Sequence, residues 1–434
     1  MSHVVRSSLL LAAFFGLDKL IALGRQVIVG RAYGVGQELD AYNAANNLPD
    51  ALFALISGGA LAIAFIPVLS EYLEKRDRVA AWGLFSRVAN SAFLITAIFA
   101  LLIAVLARPL VSRVIVPGFG LEQQTLVVSL MRLNLIATLI FSISGLVIGG
   151  LQANQHFLLP ALAPILYNVG QVVGVVFFAP RLGIYGLAYG VILGAALHLG
   201  IQIPGLVRYG FAWTPRLDWA DPGIRRVAKL MAPRILTLGA IHLIFISTDN
   251  FASNLGVGAV TAIAYGWLLM QVPETVIGTA IGTALLPTLS ERVARGERAA
   301  LARSLKRALL AIVVLTVPAA IAGIFLVRPF VSLVFEGRAF TSEGTALVTV
   351  AAQFFLLGLV GHSLVEVAAR TFYALQDALT PLVMGVATLV FFVVGSYLLT
   401  PLFSFGGIAL ANSVAFSLEA LIMLALLWKR GILA

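Results

Sequence analysis

The stretch IPVLSE at Ile66–Glu71 returns as LPTLSE at Leu286–Glu291, and RPLVS beginning at Arg108 returns as RPFVS beginning at Arg328. From 66 to 286 and from 108 to 328 the offset is the same 220 residues. A looser echo joins the turn region Gln152–Pro160 to Gln376–Pro381. Equal offsets in separate phrases mark an internal duplication.

Composition puts the duplicated unit in a membrane. Sixty per cent of the 434 residues are hydrophobic and 11% are charged, against roughly 45–50% and about 25% in a soluble domain. Most of this surface has to face lipid. A duplicated membrane unit implies a transporter whose two halves rock against each other.

The same inventory removes other classes. There is no cysteine, so disulfides, thiolate metal sites and cysteine nucleophiles are excluded. The five histidines, His3, His156, His198, His242 and His362, are scattered and read as polar packing residues, so no metal site is expected. No nucleophile sits beside a base, and no glycine loop for nucleotide phosphates appears, so the chain is not expected to be an enzyme or to carry a cofactor. The formal charge of +10 would suggest nucleic acid in a soluble protein. Here its distribution along the chain matters more, and no nucleic-acid partner is expected. The first apolar run lacks a small-residue cleavage site and reads as a retained first helix.

Apolar stretches of about 20 residues or more, enough to cross roughly 30 Å of hydrocarbon, fall near residues 7–30, 41–68, 84–107, 124–150, 158–179, 184–207, 230–253, 259–287, 305–327, 345–369, 380–400 and 407–428. The predicted fold is therefore all-α, with about twelve transmembrane helices in two pseudo-symmetric bundles, 1–220 and 221–434. Six spans per repeat return the chain to its starting side, so the repeats are parallel. The loop around 208–229, with TPRLDWADPG, is the linker. Placing both termini in the cytoplasm collects 19 of the 29 lysines and arginines on that side and leaves 6 opposite, as the positive-inside rule requires. The basic stretch Arg292–Arg307 has an apolar face of Val293, Leu301 and Leu305 and is predicted to lie along the inner leaflet.

Lys19, Arg25, Arg132 and Arg234 are the basic residues inside spans. Such charges cost at least about 2.5–3.5 kcal/mol at the bilayer centre and should face protein or water. Arg132 and Arg234 lie nearer span ends, from which they can snorkel. Lys19 and Arg25 can hold an anionic head group, because a guanidinium fork and an ammonium both suit phosphate. Alternatively, Arg25 and Asp18, seven residues apart on nearly the same helical face, mainly neutralise each other or a neighbouring helix. Asp249, flanked by Ser247, Thr248 and Asn250, is either a structural hydrogen-bonding cluster or the site of a coupling Na⁺ or H⁺. Pro273, mid-span beside Glu274, is a hinge or a static kink. Rows of glycines, Gly170 with Gly174 and Gly186 with Gly190 and Gly194 among them, predict close helix contacts.

Several long segments resemble the MurJ (MviN) family of lipid II flippases in the multidrug/oligosaccharidyl-lipid/polysaccharide exporter superfamily. They are DKLIALGRQVIVGRAYGVGQELDAYNAANNLPD (Asp18–Asp50), GALAIAFIPVLSEY (Gly59–Tyr72), RRVAKLMAPRIL, GTALLPTLSE, RPFVSLVFEGRAFT and RTFYALQDALTP (Arg370–Pro381). The resemblance covers nearly the whole chain. It implies that a lipid-linked anionic peptidoglycan precursor moves from the inner to the outer leaflet of the bacterial cytoplasmic membrane by alternating access, in the service of cell-wall biogenesis and cell shape. It also implies membrane lipids and cell-wall synthesis enzymes as partners. The family's first-span cations fall on Lys19 and Arg25, and the aspartate of its first loop on Asp40. The chain departs from the family at Phe53 and Ala54, where paired arginines are usual, and at Gly58, where a glutamate is customary. In the eighth span Trp267, Leu268 and Gln271 replace an acid, an arginine and a glutamate. Those departures keep two alternatives open: an exporter of another polyprenyl-linked glycan or lipophilic compound, and a non-transporting scaffold derived from a flippase.

Overall fold

The computed structural model describes residues 3–57 and 59–433; Gly58 and the side chain of Arg234 lie outside the described part. Helices account for nearly all of it, and one isolated β-bridge joins Gly337 to Phe340. The first repeat contributes α1 (His3–Tyr33), α2 (Gln37–Leu52), α3 (Gly59–Lys75), α4 (Arg78–Leu110) and α5 (Leu121–Ala153). It continues through α6 (Leu158–Val173), the short α7 (Ala179–Leu182), α8 (Tyr185–Gly200) and α9 (Ile203–Arg208). The second repeat contributes α10 (Pro222–Ala252), α11 (Ala259–Glu274), α12 (Ala280–Ala294) and α13 (Arg298–Phe335). It closes with α14 (Ser342–Leu357), α15 (Leu359–Ala374), α16 (Leu379–Phe403) and α17 (Phe405–Lys429).

All twelve apolar stretches fall on helix. Among the described residues nine helical segments are long and apolar enough to cross a membrane, and a tenth forms if α14 and α15, bent by 46°, count as one span. The other two stretches fall on α1 and on α2 with α3. Large apolar side chains lie exposed along α4 (Leu101, Val105), α13 (Val314, Phe325) and α16 (Val390, Leu398). In water such faces would drive aggregation; in lipid they are the solvated surface.

The chain divides into two compact units. One comprises Met1–Tyr33, Ala41–Val114 and Phe119–Gly239; the other comprises Gly34–Asp40, Ile115–Gly118 and Ala240–Ala434. The packing division therefore falls inside α10. Inside the first unit α4 packs on α5, α6 on α8, α5 on α8 and α3 on α5. Inside the second, the corresponding pairs are α13 on α14, α16 on α17, α15 and α14 on α17, and α12 on α15.

Three turns repeat in atomic detail. Gln155 has φ 58 and Gln376 φ 60; Gly183 has φ 58 and Ser404 φ 53; Gly210 has φ 70 and Gly431 φ 68. From 155 to 376, 183 to 404 and 210 to 431 the offset is 221, so one residue has entered the second copy after the sequence repeats at 220. The hydrogen bonds match too: Phe211 N–H donates to Leu206 at 3.1 Å as Ile432 N–H donates to Leu427 at 3.0 Å, and Gly183 N–H to Ala179 at 2.9 Å as Ser404 N–H to Thr400 at 2.8 Å. A left-handed residue after a helix lets the next amides reach back to the last free carbonyls.

The linker is strapped to the first unit. Asn90 Nδ2 donates to the carbonyls of Thr214 at 2.8 Å and Arg216 at 3.0 Å, and Trp82 Nε1 donates to Tyr209 O at 3.1 Å. Arg87 pairs with Asp221 at 2.9 Å. These side chains of α4 satisfy a backbone that has no helical partners of its own. Phe85, Trp82 and Phe211 meet edge to face beside them.

The basic stretch Arg292–Arg307 is not a helix lying along the leaflet, which corrects the expectation from its apolar face. Gly296, at φ +70, ends α12 in a tight turn, with Glu297 N–H on Arg292 O and Gly296 N–H on Val293 O, both at 3.0 Å. Leu301 and Leu305 are buried against Leu289, Phe372 and Met423 instead. The apolar face is core of the second unit.

The glycine rows do what their spacing predicts. A β-carbon on Gly174 would stand 2.5 Å from Gly190 Cα, and one on Gly170 would stand 2.3 Å from Gly194 Cα. Only glycine lets the backbones of α6 and α8 come so close.

Candidate functional site

In the first unit, α1 lies against α6, and two polar contacts join them. Asn168 Nδ2 donates to Asp18 Oδ1 at 2.8 Å, and one turn further along Arg25 donates through Nη1 to Gln171 Oε1. Asp18 thus bonds an amide; no ion pair between Asp18 and Arg25 occurs among the described residues. Of the structural alternative, the direct pairing of Asp18 with Arg25 is absent, while both side chains do engage the neighbouring α6.

Arg25 is half-buried, and its Nε has no hydrogen-bond partner; the Nε2 of Gln171 is likewise buried and unmatched. An arginine offers five donors in a planar fork, and a single neutral amide acceptor leaves most of that capacity unused. Asp50, Tyr42 and Tyr167 lie within electrostatic reach of the guanidinium, and Asp50 is exposed. Asn134 Nδ2 donates to Asn46 Oδ1 at 2.6 Å nearby on α5 and α2. Polar groups of this kind inside a transmembrane bundle line hydrated space or substrate paths. Lys19 is exposed and makes no hydrogen bond or ion pair among the described residues, so the structure does not bring it to the Arg25 group.

Asp40 belongs to the second unit. It is fully buried; its Oδ2 accepts from Gly258 N–H at 2.6 Å and its Oδ1 from Thr261 N–H at 2.7 Å. It caps the start of α11, where amides without intrahelical partners and the positive end of the helix dipole both favour a carboxylate. Asp249 is buried near the end of α10. The neighbouring hydroxyls are turned to backbone, Thr248 to Ile244 O and Ser253 to Asn250 O, each at 2.8 Å.

Pro273 stands two residues before a π-helical stretch, Thr275–Thr279, which separates α11 from α12. A matching stretch, Phe53–Ser57, separates α2 from α3. Local widening of this kind marks functional positions in many helices. Sequence reasoning singled out Pro273 but had no signal for the π turns. Nor did it find Gln171 and Asn168, which lie 146 and 150 residues from their partners in α1. Trp267, at one of the departures in the eighth span, packs against Phe245, Phe355 and His362. There the wall is aromatic rather than charged. Among the described residues no group of three or more histidine, aspartate or glutamate side chains is placed to hold a metal ion.

Known proteins match this architecture along its length. A family profile described as lipid II flippase MurJ matches residues 29–434. The lipid II flippase MurJ of Burkholderia cenocepacia is 31% identical over 99% of this chain and 85% of its own length, and the probable lipid II flippase MurJ of Vibrio cholerae is 26% identical over 98% and 82%. A solved structure of lipid II flippase MurJ in an inward closed conformation superposes with a TM-score of 0.84 at 21% identity, covering 97% of this chain and 87% of that one. An inward-facing multidrug resistance MATE transporter of the MOP superfamily gives 0.80 at 14% identity, covering 95% and 94%. With twelve apolar stretches on helix, two repeats carrying the same turns and a family match from residue 29 to the end, this chain is a member of the lipid II flippase MurJ family, a multi-pass protein of the bacterial inner membrane.

Proposed function

We propose that the chain carries lipid II from the inner to the outer leaflet by alternating access, with Arg25 as the principal contact for the diphosphate. The observation that carries this is the state of that guanidinium. It is half-buried, held in orientation by Gln171, and its Nε has no acceptor. A diphosphate oxygen supplies the missing acceptor and the opposite charge at once. Lys19 contributes a second positive charge from the same helix, as a mobile ammonium that meets the substrate without being fixed beforehand. Asp40 acts on transport through the start of α11 rather than by touching the head group. Asp249 is proposed as a coupling-cation ligand and Pro273 as the bend about which α11 and α12 move. The distribution of lysine and arginine outside the spans supports a cytoplasmic position for both termini.

Expression in cells depleted of their own flippase tests this reading. Growth should be restored by the wild-type chain and not by Arg25→Ala at equal membrane abundance. Failure of a well-inserted wild-type chain would instead favour the export of a different polyprenyl-linked glycan. The aromatic wall around Trp267 supports that second reading, since it puts apolar surface where charge is customary.

A further inference from the structure

Of the cations inside the spans, Arg132 has no part in the proposed transport. It is exposed on α5, and its Nε donates to the carbonyl of Ala104 on α4 at 3.0 Å. The second copy makes the same bond without a charge: Gln353 on α14 donates through Nε2 to Ile324 O on α13, also at 3.0 Å. From 132 to 353 the offset is 221 and from 104 to 324 it is 220, the two offsets that relate the copies. Tying α5 to α4 therefore needs one amide donor. A guanidinium in that place brings the rest of its N–H fork and a full charge to a surface that faces lipid.

The surroundings of Arg132 differ between the copies in the same sense. Thr125, Ser129 and Arg132 stand at i, i+4 and i+7, so they form one stripe along α5. Both hydroxyls donate to carbonyls of their own helix, Thr125 to Leu121 O at 2.8 Å and Ser129 to Thr125 O at 3.0 Å, which leaves their oxygens free to accept. The same positions of α14 carry Ala346, Val350 and Gln353. On α4, Arg108 is exposed one turn beyond Ala104 on the same face. Neither Arg108 nor Arg132 forms an ion pair among the described residues. Glu122, the acid in the first turn of α5, is about 80° round the helix from Arg132.

Depth decides what such a cation meets. The 33 residues of α5 span about 50 Å, and placed symmetrically they overshoot a hydrocarbon core of about 30 Å by about 10 Å at each end. Arg132 stands about 16 Å from the Leu121 end, roughly 6 Å below the core boundary. Its side chain points toward the helix start, so the guanidinium reaches the level of the lipid head groups. Leu101, Val105 and Ile136, exposed on the core side of the two arginines, offer an apolar bed for acyl chains.

We infer that Arg132 and Arg108, with the Ser129 and Thr125 hydroxyls beside them, form a binding site for the phosphate of one anionic glycerophospholipid on the lipid-facing side of the α4–α5 pair. The guanidinium fork matches phosphate oxygens in geometry and in charge, whereas a zwitterionic head group brings a cation of its own against the arginines. The site belongs to the first copy alone and does not depend on which lipid the chain carries between leaflets.

The test uses the full-length chain in phosphatidylcholine nanodiscs, doped with phosphatidylglycerol or phosphatidylcholine that carries a photoreactive acyl chain. After illumination the labelled peptides are mapped by mass spectrometry. Peptides of α4 and α5 around Leu101–Arg108 and Arg132–Ile136 should take up the phosphatidylglycerol probe about tenfold more than the phosphatidylcholine probe, and those of α13 and α14 should show no such preference. Arg132→Gln keeps the amide bond that Gln353 makes in the second copy, so the chain should fold as before while the preference falls at least about fivefold. Equal labelling by the two probes in the wild type overturns the inference. So does a preference shared equally by α13 and α14, or one that Arg132→Gln leaves intact, as expected of annular lipid contact only. Because no lipid II is present, none of these results bears on its proposed transport.

Discussion

The two repeats share their turns and differ in their chemistry. Each places a π-helical stretch in its second span, Phe53–Ser57 and Thr275–Thr279, and each has positive-φ residues at matching positions of its last three turns. Yet the first unit sets an arginine with a neutral amide partner against α6, while the second sets two glutamates and one arginine between α11, α12 and α15. Duplication supplied one backbone twice; substitution then placed different polar groups on the two copies.

The largest expected effect breaks the cationic side. Arg25→Ala removes a charge-assisted contact of about 1.5–3 kcal/mol, which corresponds to roughly 10- to 100-fold in transport rate. Arg25→Lys should recover only part of it, since an ammonium lacks the fork. Initial rates in reconstituted vesicles at matched protein density check both.

Next comes the middle of the α6–α8 contact, which is tighter than its counterpart in the second unit. Gly190→Leu forces α6 and α8 apart where the Gly174 and Gly190 backbones touch. A loss of about 3 kcal/mol is expected, read as a lower unfolding midpoint. The corresponding Ala411→Leu on α17 should cost less, because its approach to Gly395 is looser: a β-carbon on Gly395 would stand 3.2 Å from the Ala411 β-carbon.

A smaller effect sharpens the comparison at the end of the second copy. Asp377 starts α16, accepting from Thr380 N–H at 2.9 Å, Thr380 Oγ1 at 2.6 Å and Arg430 Nη1 at 2.7 Å. Burial raises its pKa, but the Thr380 and Arg430 donors outweigh that and bring it down to about 2. The folded value lies below the unfolded one of about 3.9. The stabilisation is therefore complete above about pH 4 and is lost as the pH falls from there through 2. With Arg430 partly exposed the contribution is about 1–2 kcal/mol. Asp377→Ala should lower the midpoint at pH 7 accordingly and flatten its acid dependence.

The smallest expected effect is a gain. Ser404 holds φ 53 and ψ −138, a conformation that glycine occupies at Gly183 in the first copy. Ser404→Gly should stabilise the second unit by about 1 kcal/mol, and Gly183→Ser should destabilise the first by a similar amount.

Much of this fold could be read directly. Spans in lipid are apolar on all sides, so length alone placed twelve helical stretches, and the phrases at 66 and 286 exposed the duplication. The turn at Gln155 and Gln376 was visible only as a looser echo between Gln152–Pro160 and Gln376–Pro381; that at Gly183 and Ser404 was hidden because the residues differ. Arg292–Arg307 misled because helical periodicity continues across Gly296, where one left-handed residue turns the chain back. Arg25 could be singled out because a charge in an apolar run has few harmless explanations. Its partner Gln171 could not, since an amide on a distant helix carries no such mark.

The central claim is that the unmatched guanidinium of Arg25 receives the diphosphate of lipid II. Translocation of labelled lipid II into proteoliposomes, compared for the wild-type chain and Arg25→Ala with circular dichroism as the control for folding, tests it most directly. The account expects transport by the wild type and a loss of at least about tenfold in the variant. Equal rates for the two folded proteins would contradict it.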